Sequence, residues 1–171
     1  MVKRLSVDKL KELTLDSYRE SKKQNLILTG SRDIGKTTLF NELLKTLPDY
    51  SGFITYLKID ESGRSICFKE IGSDEVFTAA IMVDGEMVVK DDFFDTTAND
   101  MFRSHLNNSK SYFVFDEIGY VERNSEQFLE TLKEIFRQKT VIATMRKDRN
   151  AIYNCDEIID NSHIVDLDLF T

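Results

Sequence analysis

Tryptophan is absent from this chain of 171 residues, which also holds one proline, seven glycines, two cysteines and two histidines. So little glycine and proline excludes the collagen-like and low-complexity classes. The cysteines, Cys67 and Cys155, have neither the spacing of a metal site nor the number for a disulfide framework. Cys67 sits in the apolar run SICF, and both read as small core or half-buried residues. No apolar run approaches the roughly 18 residues needed to span a bilayer, and the opening MVKRLSVDKLKEL lacks the apolar stretch of a secretory signal. Positive charge is also short, with 23 Lys and Arg against 30 Asp and Glu and a net charge of −7. That balance argues against nucleic acid or a membrane surface as the main partner. It says nothing about a local anion site, because a phosphate responds to the groups beside it. A soluble protein of the reducing cytoplasm is predicted.

What the chain does have is 41% hydrophobic and 31% charged residues, well mixed, in the length of one ordinary domain. Residues 7–22 are polar, with Val7, Leu10 and Tyr18 at helical spacing, and predict an amphipathic helix that packs on the domain edge or on a partner protein. We therefore divide the chain into an N-terminal helical extension, 1–22, and one domain, 23–171. The run NLILTG at 25–30 suits a strand buried on both faces. From Lys36, Leu39, Phe40, Leu43, Leu44 and Leu47 mark a helix that ends at Pro48.

The middle third changes period. FITYLKID, RSICFKEI, VFTAAIMV and EMVV are rich in β-branched and aromatic residues. Turn signals separate them, the strongest being Asp84-Gly85, so an antiparallel meander is predicted. A helix over 92–107 is predicted from Phe94, Ala98, Met101 and His105. YFVFDE at 112–117 and TVIATM at 140–145 read as buried strands around a helix carrying Phe128, Leu132, Ile135 and Phe136. A short helix near 150–159 and an edge strand, HIVDLDL, close the chain. Helices alternating with parallel-type strands predict an α/β three-layer domain with a mostly parallel central sheet and an inserted antiparallel meander.

Two segments carry chemistry. Gly30-Ser31-Arg32-Asp33-Ile34-Gly35-Lys36-Thr37 fits G-x-x-x-x-G-K-[ST], between a predicted strand and a predicted helix. The glycines allow successive N–H groups to turn inward around phosphate oxygens, and the helix opening at Lys36 adds its positive end. Gly30 to Thr38 are thus expected to bind the phosphates of ATP or another nucleoside triphosphate. Lys36 would reach the β- and γ-phosphates, and the Thr37 hydroxyl would ligate Mg²⁺. Asp33 places a carboxylate in that loop, harmless if it points outward, toward Arg32, and costly if inward.

The second segment ends the strand 112–117 in Asp116-Glu117. If that strand neighbours residues 25–30, its carboxyl end lies beside the loop. Asp116 would then hold Mg²⁺, and Glu117 would orient or deprotonate the attacking water. Asp116-Glu117-Ile118-Gly119 also matches D-x-x-G of GTPases, but it lies far from the loop in the chain and no N-K-x-D follows. Thr144 would stand beside the γ-phosphate. Arg146, Lys147 and Arg149 form a basic cluster in which Arg146 is the candidate for neutralising transition-state charge. His105 and His163 have no ligand spacing and read as surface or partly buried. Phe93, Phe94, Phe102, Phe113 and Phe115 read as core.

LTG-x4-GKTTL, SGFIT, DEIG followed by Glu122, and ATMRK, in this order, resemble the small P-loop nucleoside-triphosphatases, a family that includes thermophilic and human cancer-related members. The resemblance covers residues 25–168. It implies a RecA-like core and slow Mg²⁺-dependent hydrolysis of several nucleoside triphosphates to diphosphates. Gly30 to Thr38 would bind phosphate, Asp116 and Glu117 would serve metal and water, and Arg146 would match a basic residue after the late strand. The chain departs from the family pattern at Tyr120, where lysine is usual, at Arg32-Asp33, where Pro-Gly is common, and in its N-terminal helix. A nucleotide or small-molecule kinase and a partner-activated nucleotide switch are the competing readings.

Overall fold

The computed structural model describes residues 5–119, 121–147 and 156–170. Eight strands form one sheet: β1 (Asn25–Thr29), β2 (Tyr50–Asp60), β3 (Gly63–Glu70), β4 (Val76–Val83), β5 (Glu86–Val89), β6 (Tyr112–Ile118), β7 (Thr140–Met145) and β8 (Ser162–Asp166). The helices are α1 (Val7–Ser21), α2 (Lys36–Leu44), α3 (Asn99–Leu106), α4 (Glu126–Gln138) and α5 (Asp156–Asp160). The strand order is β5-β4-β3-β2-β6-β7-β1-β8. Pairing is parallel from β2 through β6, β7 and β1 to β8, and antiparallel along the meander from β2 to β5.

Alternation along the strands builds two cores, one on each face. Leu26, Leu28, Val114, Ile142 and Val165 meet Leu39, Phe40 and Leu43 of α2, with Leu10, Leu15 and Tyr18 of α1 packed against them. Ile27, Phe53, Phe68, Phe113 and Phe115 meet Phe102 of α3 and Phe128, Leu132 and Ile135 of α4. This second core is largely aromatic: Phe53 stacks on Phe102 with ring centroids 4.6 Å apart, and Phe102 meets Phe128 edge-on at 4.7 Å. All five phenylalanines read as core lie in it. Cys67 is buried and free. Among the described residues no helix is long and apolar enough to cross a membrane.

The predicted elements recur with two differences. The helix over 92–107 is two pieces: a wide π-type turn, Phe94–Ala98, in which the Ala98 N–H donates to Phe93 O at 2.9 Å, followed by α3. The wide turn admits an extra residue, so that the consecutive Phe93 and Phe94 both face the core. The N-terminal helix packs on the domain edge, its contacts being with α2 and β8. Of the predicted helix near 150–159, residues 150–155 lie outside those described, as do Tyr120, Arg149 and Cys155. Finally, β6 does not neighbour β1, because β7 stands between them.

His105 also corrects the reading as a surface or partly buried residue. It is 5% exposed and sits against the interior strands β2, β3 and β6. Its Nε2–H donates to Glu70 at 2.9 Å, while Nδ1 accepts from Ser51 Oγ at 2.8 Å and from Asn108 Nδ2 at 3.0 Å. That set of partners suits the neutral ring. Burial holds the His105 pKa below its ordinary value, Lys139 acts in the same direction, and Glu70 opposes it. A histidine whose pKa is depressed by folding stabilises the fold above its unfolded pKa, about 6.5, and loses that contribution as pH falls. We expect wild type to melt above His105→Gln at pH 7.5, and the gap to close as pH approaches 5. Buried Glu122 titrates with the opposite sign, so the difference between the two proteins, followed by thermal melts, is the quantity to read.

Candidate functional site

The phosphate loop lies between β1 and α2. Gly30 has φ +140° and Gly35, at the N-cap of α2, has φ +111°, conformations that side chains rarely adopt. The first turn of α2 contains no acidic residue, so its positive end is left for an outside anion. Asp33 also takes a positive φ, +60°. Its carboxylate points outward and lies 3.6 Å from Arg32, with both side chains more than 80% exposed. The costly inward orientation is therefore not adopted.

Lys36 is buried, with Nζ donating to the carbonyl oxygens of Gly30 and Ser31, both at 3.0 Å. It thus curls back over the loop and faces Glu117, whose Oε2 is 3.8 Å away. The other oxygen of Glu117 accepts from Arg146 Nε at 2.8 Å. One carboxylate is therefore held between two cations, Lys36 from the loop and Arg146 from the end of β7. Thr55 of β2 fixes the backbone beneath it: its Oγ1 accepts from Glu117 N–H at 3.1 Å and lies 3.3 Å from Glu117 O.

Asp116 is buried on the α2 side of β6, sharing a row with Ile54 of β2. Thr144 on the intervening β7 donates its hydroxyl to Asp116 Oδ1, and the Thr37 hydroxyl lies near enough to the same carboxyl to lower its pKa. Strand β7 thus connects the loop strand to the acidic strand rather than separating them. Burial raises the Asp116 pKa, and the two threonine hydroxyls pull against that rise. Two hard oxygen donors, the Thr37 hydroxyl and the Asp116 carboxylate, stand together at the start of α2. Such a pair fits Mg²⁺, which keeps most of its coordination for water and phosphate oxygens and needs few protein ligands. The described residues contain no cluster of three or more His, Cys, Asp or Glu placed to hold a metal ion.

Two contacts at the site were not foreseen. Asp168, in the turn after β8, accepts from Ser31 N–H at 3.0 Å and from Ser31 Oγ at 2.9 Å. Lys147 bridges Asp168 at 2.6 Å and Asp166 at 2.9 Å, so it is a tie between two loops rather than a solvated cation. These bonds hold the Asp168 pKa down to about 2. No local pattern marks Thr55 or Asp168, since each acts on a partner remote in sequence.

A family model described as NTPase matches residues 25–169. The chain belongs to the NTPase family. Among its P-loop nucleoside triphosphatases, the nucleoside-triphosphatase THEP1 of Thermotoga petrophila is 30% identical over 129 residues, covering 71% of this chain and 72% of that protein. The THEP1 protein of Thermotoga maritima is 30% identical over 131 residues, covering 71% and 74%. In structure, THEP1 from Aquifex aeolicus aligns with a TM-score of 0.63 at 19% identity, covering 84% of this chain and 89% of that one, which shows a shared fold. The match to the NTPase model begins at β1, so α1 lies outside it.

Proposed function

We propose that this NTPase hydrolyses nucleoside triphosphates to diphosphate and phosphate with Mg²⁺, in the cytoplasm. The observation that carries the reading is the Glu117 carboxylate held between Lys36 and Arg146 at the mouth of the phosphate loop. Gly30 to Thr38 bind the phosphates through inward N–H groups and the start of α2. Lys36 leaves the Gly30 and Ser31 carbonyls for the β- and γ-phosphate oxygens, stronger acceptors because they are charged. Thr37 and Asp116 would hold Mg²⁺, which when bound neutralises charge on the β- and γ-oxygens.

Released from Lys36, Glu117 accepts a proton from water as the water oxygen bonds to the γ-phosphorus. The bond from phosphorus to the β,γ-bridging oxygen breaks, and its electrons stay on the departing diphosphate. Arg146 remains against Glu117 and the transferring group, where it offsets the charge that spreads over the equatorial oxygens. The excess of acidic over basic residues supports a nucleotide as the primary ligand rather than nucleic acid or an anionic membrane surface. A protein partner at α1 would meet Leu5, Val7 and Leu13, the apolar residues that remain exposed there.

Phosphate release from ATP, GTP, CTP and UTP, with Mg²⁺ and with chelator, tests the reading. We expect slow release from several nucleotides, abolished by chelation. Tight binding of the nucleotides without any release would overturn it in favour of a kinase or a switch.

A further inference from the structure

Beyond Glu117 the chain leaves β6 through Ile118 and Gly119 and enters a single 3₁₀ turn, Val121–Asn124, that leads to α4. Within that turn Glu122 is 3% exposed, an unusual place for a carboxyl group that has no ion pair among the described residues. Its Oε1 accepts the Gly119 N–H at 2.6 Å. Glu122 thereby folds the chain back on itself two residues past Glu117. The closure does not itself require glycine at 119, since a Cβ there would meet Glu122 Oε2 at 3.6 Å, an ordinary contact. The same short segment is tied to β7, where the Arg146 N–H donates to Ile118 O at 3.3 Å. One bond to the Glu122 side chain and one backbone bond thus brace the segment next to the bridge formed when Arg146 Nε meets Glu117 Oε1 at 2.8 Å.

The charged groups that act on Glu122 are Glu117 from β6, which repels it, and Arg146 from the end of β7, which attracts it. The other elements packed against this turn are β5 and α4. The acidic residues of these two elements are Glu86, Glu126 and Glu130, which are exposed, and Glu134, which is half-buried. Glu122 is therefore a buried acid behind the carboxylate to which the proposed function assigns the water.

Resting on that assignment, we propose that Glu122 is the positioning residue for Glu117: it holds the turn through Gly119 and, when ionised, pushes the Glu117 carboxylate forward toward Lys36, Arg146 and the γ-phosphate. Its reach is electrostatic and through the backbone, so it does not itself meet substrate. Burial pushes the Glu122 pKa up to about 7, well above an ordinary glutamate. Ionisation of a carboxyl in that range brings the charge on as pH rises through neutrality.

The test is the pH dependence of kcat and KM for MgATP in the full chain, for wild type, Glu122→Gln and Glu122→Ala. Glutamine keeps an oxygen to accept the Gly119 N–H but removes the charge; alanine removes both. We expect wild-type kcat to rise through a midpoint near pH 7. Glu122→Gln should lose that limb and stay at the low acid-side kcat, with KM within about threefold of wild type. Glu122→Ala should lose about tenfold or more in kcat at every pH. If alanine impairs folding, the glutamine variant carries the test alone. A Glu122→Gln profile with the wild-type limb intact would overturn the proposal, as would a wild type with no limb near neutrality. Failure of the underlying reading has a different signature: wild type itself releases no phosphate, and the role of Glu122 falls with it.

Discussion

Glu117→Gln should retain MgATP binding within a few-fold and lose about 10²–10⁴ in kcat, the range that a positioned general base contributes. The substitution is nearly isosteric. Its carbonyl oxygen still accepts from Arg146 Nε, so the bridge that holds the side chain at 2.8 Å in wild type survives. Thr55 binds the backbone at residue 117 rather than the side chain, and that support also persists. Phosphate binding rests on the Gly30–Thr38 backbone, Lys36 and the start of α2, none of which changes. Only the capacity to take a proton from water disappears. A fall in kcat with unchanged KM is the signature of an interaction made in the transition state alone. Single-turnover phosphate release beside an equilibrium binding isotherm separates the two quantities. Hydrolysis at the wild-type rate would remove Glu117 from the mechanism and leave water activated by the phosphate itself.

The phosphate loop was legible because its chemistry is contiguous: eight residues in register carry the glycines, the lysine and the threonine, and the flanking apolar periods identify strand and helix. The meander was legible for a similar reason, since alternation and the turn at Asp84-Gly85 are local. Strand order is not a local property. Nothing in NLILTG or YFVFDE records that TVIATM inserts between them, because all three are apolar runs of the same length and burial. The insertion matters, since it places Thr144 where it binds Asp116. Thr55, Asp168 and Lys147 were illegible on the same ground: each side chain finds its partner only after the sheet forms. His105 was misread as lying at or near the surface because its burial comes from Phe53 and Phe113, whose rings meet it edge-on at 4.9 and 5.7 Å. Glu122 was visible in the chain as part of DEIG-x-x-E, yet only the fold shows that its carboxyl closes back on Gly119.

Gly52→Ala should be the most damaging single change to the fold, although Gly52 lies outside both chemical motifs. It is buried in β2, opposite Val114 of the parallel neighbour β6. A Cβ at residue 52 would stand 1.8 Å from Val114 O, 2.7 Å from its carbonyl carbon and 2.8 Å from its nitrogen. These are backbone atoms of a central strand, and β6 is backed by β7 on its other side, so neither strand has room to yield. Overpacking against mobile side chains costs about 1–3 kcal/mol. Here the clash must be relieved by parting two strands, and we expect about 3–5 kcal/mol, in the range that single substitutions seldom exceed. For a chain of this size that lowers the melting temperature by about 6–20 °C. Gly72→Ala is the control. It meets nothing within 4 Å but has φ +90°, so its cost is the backbone strain alone, about 1–2 kcal/mol. The functional consequence follows from register: three residues beyond Gly52, Thr55 supports the Glu117 backbone. A Gly52→Ala protein that still folds should therefore show a lower kcat than Gly72→Ala. Equal melting temperatures for the two variants would show that β2 and β6 can part without cost.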